Sequence, residues 1–198
     1  MSEQSAAIRE RAIAVKRAGA RLAGLSYEDR ATWIADAVSA LTETAGEARK
    51  PLAASPGLSP EMVDWDLQTT LETIDRASLR RLYRAATAGG DSPIEMLSVV
   101  LAGNLFTASV RAVLVPLLLG VPVLAKVSSR DGMFPAMLAE ALHRADAELA
   151  KAIALVSFRG GDDAMEAAFL EHAGAASVYG SNETVSAIGK RHPELPLI

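Results

Sequence analysis

Cysteine is missing altogether from the 198 residues, which excludes disulfides, thiolate metal ligands and a thiol nucleophile within them. Histidine is nearly as scarce: His143, His172 and His192 stand far apart, without the spacing of metal ligands, and read as helix-surface or loop residues. There is no excess of positive charge either. Twenty basic residues against 24 acidic ones leave a net charge of -4, and the basic residues are scattered among the acids. This excludes the concentrated basic face that a nucleic-acid partner requires. The amino terminus alternates charge with alanine and lacks the apolar centre of a signal peptide. The charge-free run from Ala112 to Ala125 falls short of the roughly 20 residues of a membrane-spanning helix, and Asn104, Arg111, Pro116 and Pro122 break up the apolar stretch around it. The expectation is a cytoplasmic chain without a transmembrane segment. Aromatic residues make up only 5%, and Trp33 and Trp65 read as packing residues.

What the chain does contain is apolar residues, at 50%, enough for one substantial domain with helical additions. Its centre is the stretch from Leu97 to Lys126. Two short apolar runs, Leu97 to Ala102 and Val121 to Ala125, flank a mostly apolar segment of about the length that a crossover helix needs. That pattern predicts a parallel strand–helix–strand unit. Before it, Ile8, Ala12, Val15 and Leu22 recur at helical spacing, and Ser26 with Asp29 fits a capping box. The helix that Ser26 opens ends near Gly46, and Pro51 to Gly57 reads as a breaker-rich connection. Ser59-Pro60 restarts a helix with the stripe Val63, Leu67, Leu71 and Ile74. A further helix spans Leu79 to Ala86, and Gly89-Gly90-Asp91 closes the helical part.

After the central unit the alternation continues: a helix from Asp131 to Ala145, a strand from Ile153 to Phe158, and a helix from Met165 to His172. A short strand at Ser177 to Tyr179 and a helix from Gly180-Ser181 to about Lys190 complete it. The fold class expected is α/β. A helical region at 1–90 packs on Rossmann-like βα repeats at 91–198 with a mostly parallel, doubly wound sheet.

In such a sheet ligands sit at the carboxyl ends of the strands. Those ends carry Gly103-Asn104, then Lys126, Ser128, Ser129 and Arg130, then Gly160-Gly161, then Gly180-Ser181. Glycine lets a phosphate approach the backbone, and a helix that starts at once aims free N–H groups at the anion. The edge suits a dinucleotide, although the GxGxxG fingerprint is absent.

Taken together, Gly103-Asn104 before a helix, AKVSSRD from Ala125, the Gly160-Gly161 turn and VYGSNETVSAI from Val178 resemble the aldehyde dehydrogenase superfamily. LAGN, AKVSSRD, the glycine turn and VYGSNETVSAI, with the early segment SPGLSPEMVDWDLQTTLETI, look most like its acyl-CoA reductase branch, the fatty acyl-CoA reductases of bacterial luminescence. The resemblance spans roughly Leu58 to Arg191.

It implies NADPH or NADH as cofactor, bound without GxGxxG, and an acyl-CoA as substrate of the full-length protein. By that resemblance Asn104 matches the amide that stabilises an oxyanion, Lys126 the lysine that bonds the adenosine ribose, and Gly180 with Ser181 the rest for the pyrophosphate. Ser129 stands where many NAD-preferring relatives carry glutamate. With Lys126 and Arg130 nearby, the resemblance implies that NADPH is accepted. The family's catalytic cysteine belongs to a downstream domain that is absent from these residues, so the chain is expected to be a cofactor-binding fragment, inactive alone. Family members commonly form homo-oligomers. A non-catalytic nucleotide-binding paralogue or scaffold, a relative of glutamyl phosphate reductase or aldehyde dehydrogenase, and a structural α/β domain whose glycines merely turn the chain remain alternatives.

Overall fold

Six polar side chains set the helix starts. Ser2, Ser26, Ser59, Asp75, Asp162 and Ser181 each accept the backbone N–H three residues on, satisfying a donor that the first helical turn leaves free. In the computed structural model, which describes residues 2–54, 57–88, 94–101, 103, 107–128 and 132–198, the order begins with five helices. These are α1 (Glu3–Ala23), α2 (Tyr27–Glu47), α3 (Arg49–Ala54), α4 (Pro60–Leu71) and α5 (Arg76–Thr87). Then follow β1 (Leu97–Val100), α6 (Ala108–Leu118), β2 (Val123–Lys126), α7 (Met133–Ala145), a 3-10 turn (Leu149–Ala152), β3 (Ile153–Val156), α8 (Asp163–Leu170), β4 (Ala175–Val178) and α9 (Asn182–Arg191).

The four strands are parallel in the order β3-β2-β1-β4. The chain winds outward from β1 through β2 to β3, then crosses back to lay β4 on the other side of β1. The winding therefore reverses between β1 and β4, the kind of position where open α/β sheets bind ligands. Strand alternation divides the core. Leu97, Val99, Val123, Ala125 and Ile153 pack with residues of α2, α4, α6 and α7. Met96, Leu124, Val156 and Ala176 pack with Ile8, Ala12 and Val15 of α1, Phe169 of α8 and Ile188 of α9. The sheet is thus covered on both faces, as doubly wound. Beyond β4, Ala176 donates to the Pro196 carbonyl and accepts from Ile198, a parallel bridge at Leu197.

Arg30 joins the layers. Only 5% exposed, it donates from Nε to the Leu118 carbonyl at 2.8 Å and from one Nη to those of Leu22 and Leu25 at 3.1 and 2.8 Å. These carbonyls lie at or just after the ends of α6 and α1, where helical donors run out, although Leu22 also accepts the N–H of Leu25. Gly120, at φ +82°, turns the chain beneath it, and a Cβ there would stand 3.1 Å from the guanidinium.

Several sequence expectations need correction. Pro51 to Gly57 is not all connection, because α3 reaches Ala54 with Pro51 in its first turn, where a missing N–H leaves no bond unmade. At α2 the Ser26 hydroxyl accepts from Asp29 N but donates to the Asp29 carboxylate, so the acid binds the cap side chain. Ile74 and Met137 are half-buried, Ile74 lying beyond the end of α4. Trp33 is packed, at 4% exposure, with Nε1 donating to Leu142. Trp65 is 67% exposed and is no packing residue, because it lies off the Val63–Leu67–Leu71 stripe of its helix. β3 stops at Val156, short of Phe158, whereas β4 starts two residues before Ser177 and ends at Val178, and Gly89-Gly90-Asp91 lies outside the described residues.

Candidate functional site

Register fixes the site. Val156, Lys126, Val100 and Val178 stand abreast at the carboxyl end of the sheet, and alternation turns the row to the face that carries Leu124, hence toward α8 and α9. Lys126 is the one charged residue in the row. Its ammonium lies 5.0 Å from the centroid of the Phe158 ring, a cation–π distance, and Phe158 meets Phe169 of α8 edge to face at 5.7 Å.

Above the row opens a cleft of about 260 Å³ between α8 and α9, with Val100, Phe158, Phe169, Leu170, Ala187 and Ile188 as apolar lining. Lys126, Gly160, Gly161, Glu166, Thr184 and Arg191 add the remaining atoms. Burial pulls the Lys126 ammonium below the usual lysine range, and the charge of Glu166 pushes back. Glu166, 8% exposed, accepts a fork from Arg191 at 2.7 and 2.8 Å, and His192 Nε2 stands 3.3 Å from the same carboxylate. That hydrogen bond to Glu166 holds the Arg191 guanidinium above its ordinary range.

The expected site residues are thus partly assembled. Lys126 and Gly160 line the cleft. Ser181 caps α9 by accepting Thr184 N at 3.3 Å, and Thr184 lines the cleft although Ser181 does not. A Cβ on Gly180 would come within 3.2 Å of the Thr184 side chain, so glycine permits the turn to close. Ser128 follows β2 half-buried. Asn104, Ser129 and Arg130 lie outside the described residues.

One expected anion site is occupied by the chain itself. Asp162 caps α8 by accepting Met165 N at 3.1 Å, with Asp163 and Glu166 in the first turn, so acids rather than free N–H groups meet a ligand there. Glu166, Arg191 and Phe158 carry no mark in the sequence pattern, and His192, expected on a helix surface or in a loop, does follow α9 while its Nε2 stands 3.3 Å from Glu166. Spacing alone carries no signal for a pair that joins two helices 25 positions apart. Among the described residues no cluster of histidine and acidic side chains could hold a metal, and no helix is long and apolar enough to cross a membrane. A larger, open depression of about 710 Å³ lies between α4, α6 and the outer part of β4. Leu97 and Ser177 place it on the face of the sheet opposite Lys126, and its lining, although polar in part, does not include that lysine.

Comparison with known proteins bears on this geometry. The chain superposes over its full length on solved structures of a NAD-dependent benzaldehyde dehydrogenase from Corynebacterium glutamicum (TM-score 0.83, 17% identity, 46% of that chain) and a glyceraldehyde-3-phosphate dehydrogenase, GapN, from Methanocaldococcus jannaschii complexed with NADP (0.81, 12%, 46%). A lactaldehyde dehydrogenase from Escherichia coli gives 0.80 at 18% identity over 44% of its length. At such identities the likeness shows a shared fold. The chain spans less than half the length of these structures. Comparison with curated proteins returned no match. A family model described as acyl-CoA reductase (LuxC) matches residues 13–195. The helical front, the reversal beside β1 and the lysine-bearing strand end therefore belong to one family: this chain is a member of the acyl-CoA reductase (LuxC) family.

Proposed function

We propose that this chain is the dinucleotide-binding part of a nicotinamide-dependent reductase that converts a fatty acyl-CoA to an aldehyde. The observation that carries the reading is the Lys126 ammonium on the wall of an apolar cleft at the carboxyl edge of a parallel sheet. The cleft is smaller than the 300–1,000 Å³ or so of sites that enclose a whole ligand. It suits one flat end of a dinucleotide, an adenine held between the apolar faces of α8 and α9, with the rest along the strand ends.

In this arrangement Lys126 donates to the ribose hydroxyls, and Gly180-Ser181 at the start of α9 borders the pyrophosphate, where the helix dipole favours negative charge. The cofactor supplies hydride. Asn104 is assigned to donate its side-chain amide to the oxygen of the acyl carbonyl as charge develops there. The thioester-forming cysteine must come from outside these residues, so the chain alone binds without turnover. NADPH is the favoured form. Lys126 and Arg191 bring two positive charges to the cleft against the one negative charge of Glu166, and serine at 129 presents no carboxylate to a 2'-phosphate.

The test is a calorimetric titration of the 198-residue chain with NADPH and with NADH. Saturable binding of NADPH, tighter than NADH and weakened at least about tenfold by Lys126→Ala, is expected. Absence of binding by either dinucleotide overturns the reading, and tighter binding of NADH removes the preference for NADPH.

A further inference from the structure

The most deeply placed acid of the cleft has no part in the reading above. Glu166 sits in the first turn of α8, 8% exposed, where a carboxylate is tolerated only if paired. From the end of α9, Arg191 grips it through two nitrogens, and His192 reaches it at 3.3 Å. From β2, Lys126 lines the same cavity and feels its charge. Two basic side chains at the end of α9 thus hold one acid of α8 inside a cavity that also contains the lysine of β2. A bond needed only to fasten α8 to α9 requires neither an opening onto the cleft nor a lysine beside it.

We propose that Glu166 is a positioning residue for the dinucleotide: gripped by Arg191 of α9, on the wall of the cavity that Lys126 of β2 also lines, it sets the width of the cleft and keeps a negative charge near the ammonium that meets the ribose. This rests on the dinucleotide reading of the cleft and extends it to a residue that the reading leaves idle. The charge balance explains why the acid matters. Burial drives Lys126 toward its neutral form, and Glu166 opposes that. A lysine that loses its proton loses its charge-assisted bonds. The remaining ionisable neighbours are Asp163, 4.0 Å from Arg191, and Glu194, 3.9 Å from His192. Both are largely exposed, which leaves Glu166 as the buried carboxylate of the cleft.

Two measurements on the 198-residue chain test the proposal with Glu166→Gln and Arg191→Gln. The first is a pH titration of the lysine side-chain NMR signals, with Lys126 assigned by loss of its peak in Lys126→Arg. Glu166→Gln lowers the Lys126 midpoint, and Arg191→Gln, which frees the carboxylate, raises it. A merely loosened fold would not produce shifts of opposite sign. An unmoved midpoint in both variants overturns the inference even if NADPH binds. The second is NADPH affinity near pH 7 and near pH 9, where the Glu166→Gln loss is larger at the higher pH by about threefold or more. An equal loss at both pH values makes Glu166 a structural acid only and overturns the positioning role. Failure of the unaltered chain to bind any dinucleotide overturns the reading of the cleft and the role of Glu166 with it, whatever the lysine titration shows.

Discussion

Arg30 and Lys126 are two cations drawn into the same small fold, and they are used in opposite ways. Arg30 is surrounded by the carbonyls of Leu22, Leu25 and Leu118, acceptors at or beyond helix ends, so its charge closes the structure. Lys126 lies over an aromatic ring at the mouth of a cleft, and no helix end depends on it. Burial lowers the proton affinity of both groups. The difference teaches that a buried charge is read by what it satisfies. A cation ringed by backbone carbonyls holds the protein together, whereas one presented to a cavity is free to meet a ligand.

Substitutions should separate the two regions. Replacing Arg30 with Met strands the carbonyls of Leu25 and Leu118, while Leu22 keeps the Leu25 N–H, and is expected to remove about 3 kcal/mol of stability, measured by urea unfolding. Gly120→Ala follows, losing about 2 kcal/mol, since it forces a side chain into positive φ beside the same guanidinium. Ser181→Ala costs about 1 kcal/mol by removing the α9 cap. Lys126→Met leaves stability within about 0.5 kcal/mol at neutral pH while abolishing dinucleotide affinity. A loss for Lys126→Met as large as that for Arg30→Met would erase the comparison.

A smaller, pH-dependent effect sharpens it. The folded Lys126 titrates below the ordinary lysine value, so between the two values the unfolded chain holds more protons and stability rises with pH. In that window the unaltered protein gains stability relative to Lys126→Met as pH increases, which unfolding curves on either side of it would reveal.

The parts that were legible in the sequence are those governed by near neighbours. The helix caps at Ser26 and Ser59 could be read because a cap and its recipient N–H lie three residues apart. The β-branched and leucine runs gave the strands away because buried parallel strands need apolar residues on both faces. Trp65 misled because its type suggests packing, while its place off the buried stripe of α4 exposes it. Arg30 drew no notice, since an arginine in an amphipathic helix has the pattern of a surface residue. Only the meeting of α1, α2 and α6 makes it a core one.

By itself, then, the chain order determined the alternation of strand and helix, the lack of a thiol and the polar residues that follow each strand. Those properties depend on residue type and on contacts a few positions long. The tertiary structure decided which strand-end residues share one face, that Asp162 fills the start of α8, and that Glu166 meets Arg191 in the cavity that Lys126 lines. Each of these depends on strand register and helix packing, which bring together side chains that no local spacing relates.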